Sequence, residues 1–363
     1  MKNYLRGLRN KNLKTRKGKN PNLPIAVWMQ EDIFLDKKIG KSLTIILRTV
    51  GCRWAYKDGG CTMCSYIMDS FPSNITSENI INQFDYALQK YGSEIHSNPK
   101  DISIKLFTSG SFLDDGEIPG DARKYILKKI KELDIKEVVI ESRPEYITEN
   151  KLEEIINCLG NRINMEIGVG IESFNEEIRN ISINKGISTE EIINAINLSK
   201  KYSINIKAYL LIKPLFITEG DAVDDAIYSA NKCIELGCSR ISYCPATVHK
   251  GTLMEVLWKK NQYRPPHLWS ILKILHNVKT KNPQKIIMCD TSGIPTARGA
   301  HNKLDCHCNW KIKEAITNFT ITQNISYIEE VLSMECPCKK QWVEFIKFER
   351  RNIIPLGDNN HNP

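Results

Sequence analysis

Between residues 43 and 245, six short apolar runs alternate with five stretches of helical periodicity, and this alternation limits the fold more than any other feature of the chain. The runs are "LTIILR" (43–48), "ISIKLFT" (102–108), "KEVVIES" (136–142), "NMEIGVGIES" (164–173), "INIKAYLLIKP" (204–214) and "SRISYCP" (239–245). Each is short and β-branched, and most end on a turn signal, as strands buried on both faces do. The helical patterns lie near 77–91, 121–133, 149–159, 188–202 and 221–236. Strands joined through helices are parallel neighbours linked by crossovers. The order predicts an α/β fold, either a doubly wound sheet or a partial (β/α)6 barrel of the TIM type. No GxGxxG or GxxxxGK[ST] opens the first helix, which counts against the nucleotide-binding wound sheets. In a barrel the C-terminal strand ends converge on one rim, where active sites sit.

Those strand ends carry the chemistry. The loop after the first run, "RTVGCRWAYKDGGCTMCSYIMD" (48–69), holds Cys52, Cys61 and Cys64. Three thiols leave a structural zinc site one ligand short. A [4Fe–4S] cluster held by three cysteines instead keeps one iron open for an exchangeable ligand. A structural zinc loop remains the competing reading. The next strand ends are polar too: Gly110 and Ser111 in "TSGSF", Ser142 and Arg143 in "ESRPE", Gly170 and Glu172 in "GVGIES", and Lys213 in "LLIKP". No run approaches the ~18 apolar residues of a membrane span, and the N-terminus lacks the apolar core of a signal peptide. A cytoplasmic chain with reduced thiols is therefore expected, and twelve cysteines in it point to metal or redox chemistry before disulfides.

The loop resembles the cluster motif of the radical-SAM superfamily, whose usual spacing is CxxxCxxC. Here eight residues separate Cys52 from Cys61, similar to the subgroup that contains the Elongator catalytic subunit. The resemblance implies a [4Fe–4S] cluster on Cys52, Cys61 and Cys64 with S-adenosylmethionine on its open iron. It further implies cofactor contacts from Gly110, Ser111, Ser142, Arg143, Gly170, Glu172 and Lys213. "VWMQEDIF", "VHKGTLMEVLW", "YRPPHLWS" and "RGAHN" extend the likeness to the archaeosine synthase β-subunit family, over about residues 24 to 345. That family implies a tRNA-modifying lyase, which cleaves a C–N bond in the lysine attached to preQ0 at tRNA position 15. The implied partners are the tRNA, the lysine-transferring α subunit and an electron donor. An unactivated C–H bond is too weakly acidic for histidine or carboxylate to deprotonate usefully. A 5′-deoxyadenosyl radical from the cofactor would carry that step. The alternatives are another radical-SAM tRNA modifier, Elongator-like or thiolating, and a non-catalytic metal-bearing RNA-binding protein. The last has no use for an ordered series of polar strand ends.

Beyond residue 250 the alternation fades, so residues 23–250 are expected to form the core and 251–363 a small separate module. In that module Cys306 and Cys308 ("CHC") and Cys336 and Cys338 ("CPC") suit one structural zinc. A second iron–sulfur cluster, or four unligated thiols, are the other readings, and His301 or Cys289 is able to replace one ligand. Cys158, Cys233, Cys238 and Cys244 read as packed thiols, and Tyr66, His249 and Lys250 as pocket residues without an assigned role. Residues 1–22 hold Lys2, Arg6, Arg9, Lys11, Lys14, Arg16, Lys17 and Lys19 and no acid, nearly all of the chain's formal charge of +9. Such a segment reads as a flexible arm, either solubilising or gripping phosphates.

Overall fold

The computed structural model describes residues 1–13, 19–71 and 73–352. In chain order the elements are α1 (Lys2–Leu13), β1 (Ala26–Ile33), β2 (Ile39–Ile46), α2 (Arg53–Asp58), α3 (Ser77–Ser97), β3 (Ile102–Phe107) and α4 (Gly120–Leu133). Then come β4 (Glu137–Glu141), α5 (Glu149–Leu159), β5 (Asn164–Glu172), α6 (Thr189–Lys201), β6 (Asn205–Ile212), α7 (Glu219–Glu235) and β7 (Arg240–Pro245). The chain closes with α8 (Leu253–Lys259), α9 (Leu268–Lys281), β8 (Ile286–Cys289), α10 (Cys308–Thr322), α11 (Ser326–Ser333) and α12 (Pro337–Asn352). The strands form one sheet in the order β1 to β8, with β1 antiparallel on β2 and every later pair parallel. The six expected strands are β2 to β7, and three of the helices between them, α3, α6 and α7, begin at the side-chain caps Thr76, Ser188 and Thr218, each accepting from the amide of the third helical residue.

The sheet curls into a partial barrel, and one arginine shows it. Arg240, at the start of β7, donates to the carbonyl of Ile33 at the end of β1 at 2.6 Å and forms an ion pair with Glu137 of β4. A flat sheet with strands about 4.8 Å apart would put β1 and β7 about 29 Å from one another. The guanidinium also meets Glu166 of β5 at 3.0 Å. Beside it Lys105 of β3 pairs with Asp32 of β1 at 2.7 Å, and Lys207 of β6 completes the group. Three acids and three bases thus plug the N-terminal end of the barrel, each of them buried. Burial, and then the charges of Lys105 and Arg240, bring the Lys207 amine down to about 8.

Two expectations about the ends of the chain are corrected. The sheet does not stop near residue 250: β8 pairs with β7, and a single hydrophobic core runs from Leu43 in β2 to Trp342 in α12. The cysteine-bearing C-terminal module is therefore joined to the same core: its short strand extends the sheet from β7, α9 packs on α7, and α10 packs on β8. The basic segment does not form a flexible arm over Lys2–Leu13, which is helix α1 and packs on α2. Lys14, Arg16, Lys17 and residues 353–363 lie outside the described residues. Among the described residues no helix is long and apolar enough to cross a membrane.

Replacing Arg240 by Met should leave Glu137 and Glu166 buried without their cation and destabilise the fold by about 3–5 kcal/mol. Adding Glu137→Gln and Glu166→Gln should recover part of that loss. The midpoint of urea unfolding measures both, and an unchanged midpoint in Arg240→Met would remove the network from the account of the fold.

Candidate cluster and cofactor site

The loop after β2 brings its three thiols to the C-terminal rim. Cys52 is the N-cap of the short helix α2, and Gly59 ends that helix in the left-handed region at φ 81°, turning the chain back toward Cys61 and Cys64. All three cysteines are half-buried. Burial pushes the Cys61 thiol up to about 11 and raises those of Cys52 and Cys64 as well. Against that burial each thiol faces its own leading cation: Arg143 for Cys52, Lys185 for Cys61 and Arg9 for Cys64. Burial outweighs these charges at every thiol, so a bound metal would itself have to draw off the protons, with Arg143, Lys185 and Arg9 offsetting part of the burial.

The predicted strand ends join this loop in sequence around the rim. Gly110, after β3, lies against Cys52 so closely that a Cβ there would stand 2.9 Å from the Cys52 Cα and 2.4 Å from a Glu117 oxygen. Glu117 accepts from Thr49 Oγ1 at 2.6 Å and from the Ser111 amide at 2.7 Å, and its burial pushes the carboxyl up to about 7. The Ser111 hydroxyl accepts from the Arg143 amide at 3.0 Å, and the Ser142 hydroxyl donates to the Arg143 carbonyl at 3.1 Å. The Arg143 guanidinium donates to the Lys185 carbonyl at 3.1 Å, pairs with Glu145 at 2.5 Å and lies over the Trp54 ring, 5.3 Å from its centroid. Lys185 in turn pairs with Glu172 at 2.7 Å, its amine packed against Gly170. Glu172 follows a register shift in β5 and holds φ at 66°, a strained conformation of the kind that persists where surrounding bonds enforce it. Glu141, also at this end of the barrel, is raised to about 7, chiefly by burial.

Lys213 follows β6 at its C-terminal end, with its side chain paired to α7. Its amine stands 2.7 Å from Glu219, both side chains fully buried, and Glu219 also accepts from the His267 amide and the Ser270 hydroxyl. Tyr66 is exposed, with its ring 6.4 Å from that of His249, and Lys250 is exposed beside it. Cys158, Cys233 and Cys238 are buried, and Cys244 is half-buried on β7. Arg9, Trp54, Glu117 and Lys185 escaped the sequence reading. The signal for Trp54 was its place inside the stretched cysteine gap. That for Lys185 was the "NKG" turn after the β5 strand end.

A second group forms at the other end of the chain. The sulfurs of Cys306, Cys308, Cys336 and Cys338 all lie within 4.8 Å of one another, and Cys306 and Cys336 are 3.5 Å apart. Among the described residues this is the one set of three or more candidate metal ligands so tightly gathered. Cys308 opens α10, while Cys336 and Cys338 flank the first residue of α12, so two helix N-termini direct their dipoles at the thiols. The Cys308 sulfur accepts from Asn302 at 3.3 Å. His301 bonds the Gly299 carbonyl and Cys289 the Asp290 carbonyl, and neither is in the group. Helix α12 then runs back to the barrel. Trp342 donates to Ser270 at 2.9 Å, and Glu349 accepts from the Glu219 amide at 2.7 Å.

Comparisons with known proteins place the chain in a family. The family model of the Radical SAM superfamily matches residues 46–226, from the end of β2 into α7. A protein of Methanocaldococcus jannaschii described as uncharacterized is 63% identical over 98% of this chain and 95% of its own length. Archaeosine synthase subunit beta of Methanosarcina acetivorans is 36% identical over 90% of this chain and 91% of that one. The Thermococcus kodakarensis protein of the same name is 37% identical over 88% of this chain and 95% of that one. Radical SAM membership implies S-adenosylmethionine and a [4Fe–4S] cluster, and three thiols with three facing cations fit such a cluster. By its sequence along nearly the whole chain, the protein belongs to the archaeosine synthase subunit beta family of the Radical SAM superfamily.

Proposed function

We propose that this protein is the radical-generating subunit of an archaeosine-forming enzyme, cleaving a C–N bond in a lysine attached to a modified base of tRNA. The observation that carries the reading is the rim: three thiols of one loop, with Gly110 against Cys52 and the linked polar ends of β3, β4 and β5 beside them. The relatives' name supplies the product class and implies an α subunit as partner. In this reading Cys52, Cys61 and Cys64 hold the [4Fe–4S] cluster, which with bound S-adenosylmethionine supplies a radical able to remove an unactivated hydrogen. Gly110 leaves room beside Cys52, and Ser111 and Ser142 fix the backbone of Arg143. Arg143 and Glu172, each held by a partner, present opposite charges to the polar groups of the cofactor. An external donor supplies the electron.

The C-terminal thiols take a structural zinc in the same reading. Four sulfurs about 2.3 Å from one tetrahedral zinc stand about 3.8 Å from each other, close to the spacing found here. Four-iron clusters need wider gaps between their cysteines. Zinc would tie α10 to α12 at a point where the two helices have few apolar contacts of their own.

Anaerobic iron and sulfide analysis, followed by an S-adenosylmethionine cleavage assay with and without lysine-bearing tRNA, tests the reading. Changing Cys52, Cys61 or Cys64 to Ala should abolish reductive cleavage while the fold is kept. Normal iron content and 5′-deoxyadenosine production in such a variant would sink the assignment. Arg143→Ala should weaken S-adenosylmethionine binding by about 1–3 kcal/mol, as loss of a charge-assisted hydrogen bond does. Anaerobic calorimetry showing wild-type affinity would take Arg143 out of the site. One zinc per chain should survive removal of the cluster, and Cys338→Ser should lose it and expose α12 to protease. About eight irons and no zinc, the content of two four-iron clusters, would instead favour the thiolating alternative.

A further inference from the structure

Eight bases at the N-terminus suggest a grip on phosphate, yet three of those described, Lys2, Arg6 and Arg9, are engaged by the cluster loop and Arg9 is buried in it. Lys2 pairs with Asp58 at 3.1 Å and lies over the Trp54 ring, 5.2 Å from its centroid. Arg6 donates to the Lys57 carbonyl at 2.7 Å. Arg9 is only 4% exposed. Its guanidinium donates to the carbonyls of Gly59 at 3.1 Å, Cys61 at 3.4 Å and Cys64 at 2.7 Å. Leu5, also buried, joins an apolar cluster against which Cys61 and Met63 pack. The helix lies so close that a Cβ on Gly59 would be 2.7 Å from the Arg6 amide nitrogen and from the Leu5 Cβ. Lys2, Arg6 and Lys11 are exposed on the same helix, so Arg9 is the base that is buried.

A segment built only to hold RNA has no reason to bury an arginine against three carbonyls of one loop. The planar fork of a guanidinium, with five donors, is the side chain that can satisfy several carbonyls at once. The carbonyls it holds belong to two of the three cluster cysteines and to the turn before them. We propose that α1 is a cover over the cluster loop, and that Arg9 is a positioning residue which fixes the backbone of Cys61 and Cys64 and places a positive charge beside the cluster. The proposal rests on the cluster reading above. Fixing both carbonyls keeps the ligand sulfurs in place when the cluster is oxidised or lost. The charge favours the more negative, reduced state of the cluster, and loss of it makes reduction harder.

The test uses the full chain, reconstituted anaerobically, as wild type, Arg9→Gln, Arg9→Lys and Lys11→Gln. Iron content, the rate of cluster bleaching in air and the cluster midpoint potential are measured on each. Arg9→Gln should bleach several-fold faster and show a more negative potential. Arg9→Lys should keep a potential near wild type but bleach faster, because a lysine carries the charge without the fork. Lys11→Gln removes the same charge from the exposed face and should match wild type in both. Wild-type bleaching and potential in an iron-loaded Arg9→Gln protein would overturn the proposal. Hydrogen exchange on the cluster-free wild-type chain gives a second readout that needs no variant to fold. The amides of residues 60–64 should open together with those of α1, and independent opening would count against a cover. If wild type takes up no iron, the cluster reading itself fails, while the exchange experiment still decides whether α1 secures the loop.

Discussion

Arg240 is the interaction on which the rest of the molecule depends. It draws β1, β4, β5 and β7 to one point inside the curled sheet, with Glu137 and Glu166 as its counter-charges. Asp32, Lys105 and Lys207 complete a group whose charges cancel. A buried ion network of this kind is a poor source of stability compared with packed hydrocarbon. It does impose geometry, because a strand one register out would leave a charge without its partner. The C-terminal ends of the same strands carry the candidate site, so their registers also determine how Gly110, Arg143 and Glu172 meet.

Polarity therefore divides the barrel interior into two levels. At the base the charges satisfy one another. At the rim the cations Arg143 and Lys185 are arranged around cysteine sulfur, and Glu117 and Glu141 are held high by burial, each near 7. Glu172 and Lys213 both adopt positive φ where their strands end, at 66° and 62°. Such conformations cost of order 1–3 kcal/mol each and persist only where surrounding contacts enforce them. Lys185 enforces the first, and Glu219 with Tyr263, whose hydroxyl donates to the Lys213 carbonyl at 2.8 Å, the second.

The strands β2 to β7 were legible because each is a continuous apolar run, and the helices between them because their periodicity is regular. Strand β8 has four residues, too few to rise above an apolar patch, and β1 alternates poorly because it is an edge. The cysteine loop stood out through its three thiols together with the polar strand ends that follow it in order. Lys185 and Arg9 were not, since what makes them part of the site is the approach of a loop distant in sequence. Lys213 shows what the sequence leaves out. Its place at a strand end suggested the rim, but its side chain is committed to Glu219, which α7 brings from six residues further on. The basic segment misled because composition reports charge and says nothing of which carbonyls lie within reach.

The long sequence separations in these contacts have a consequence for the order in which the chain assembles on the ribosome. Helix α1 has no surface to dock on until residues 57–64 have followed it. The Trp54 indole donates to the Asn184 carbonyl, 130 positions later, and Arg240 reaches Ile33 across 207. Contacts between such distant residues close slowly, because the loop entropy is lost before the contact forms. Until β7 is synthesised, Glu137 and Glu166 lack their cation, so burying them would require that they stay hydrated or take up a proton. Cys306, Cys308, Cys336 and Cys338 come later still, so α12 can be fastened only to a barrel whose seventh strand is already available.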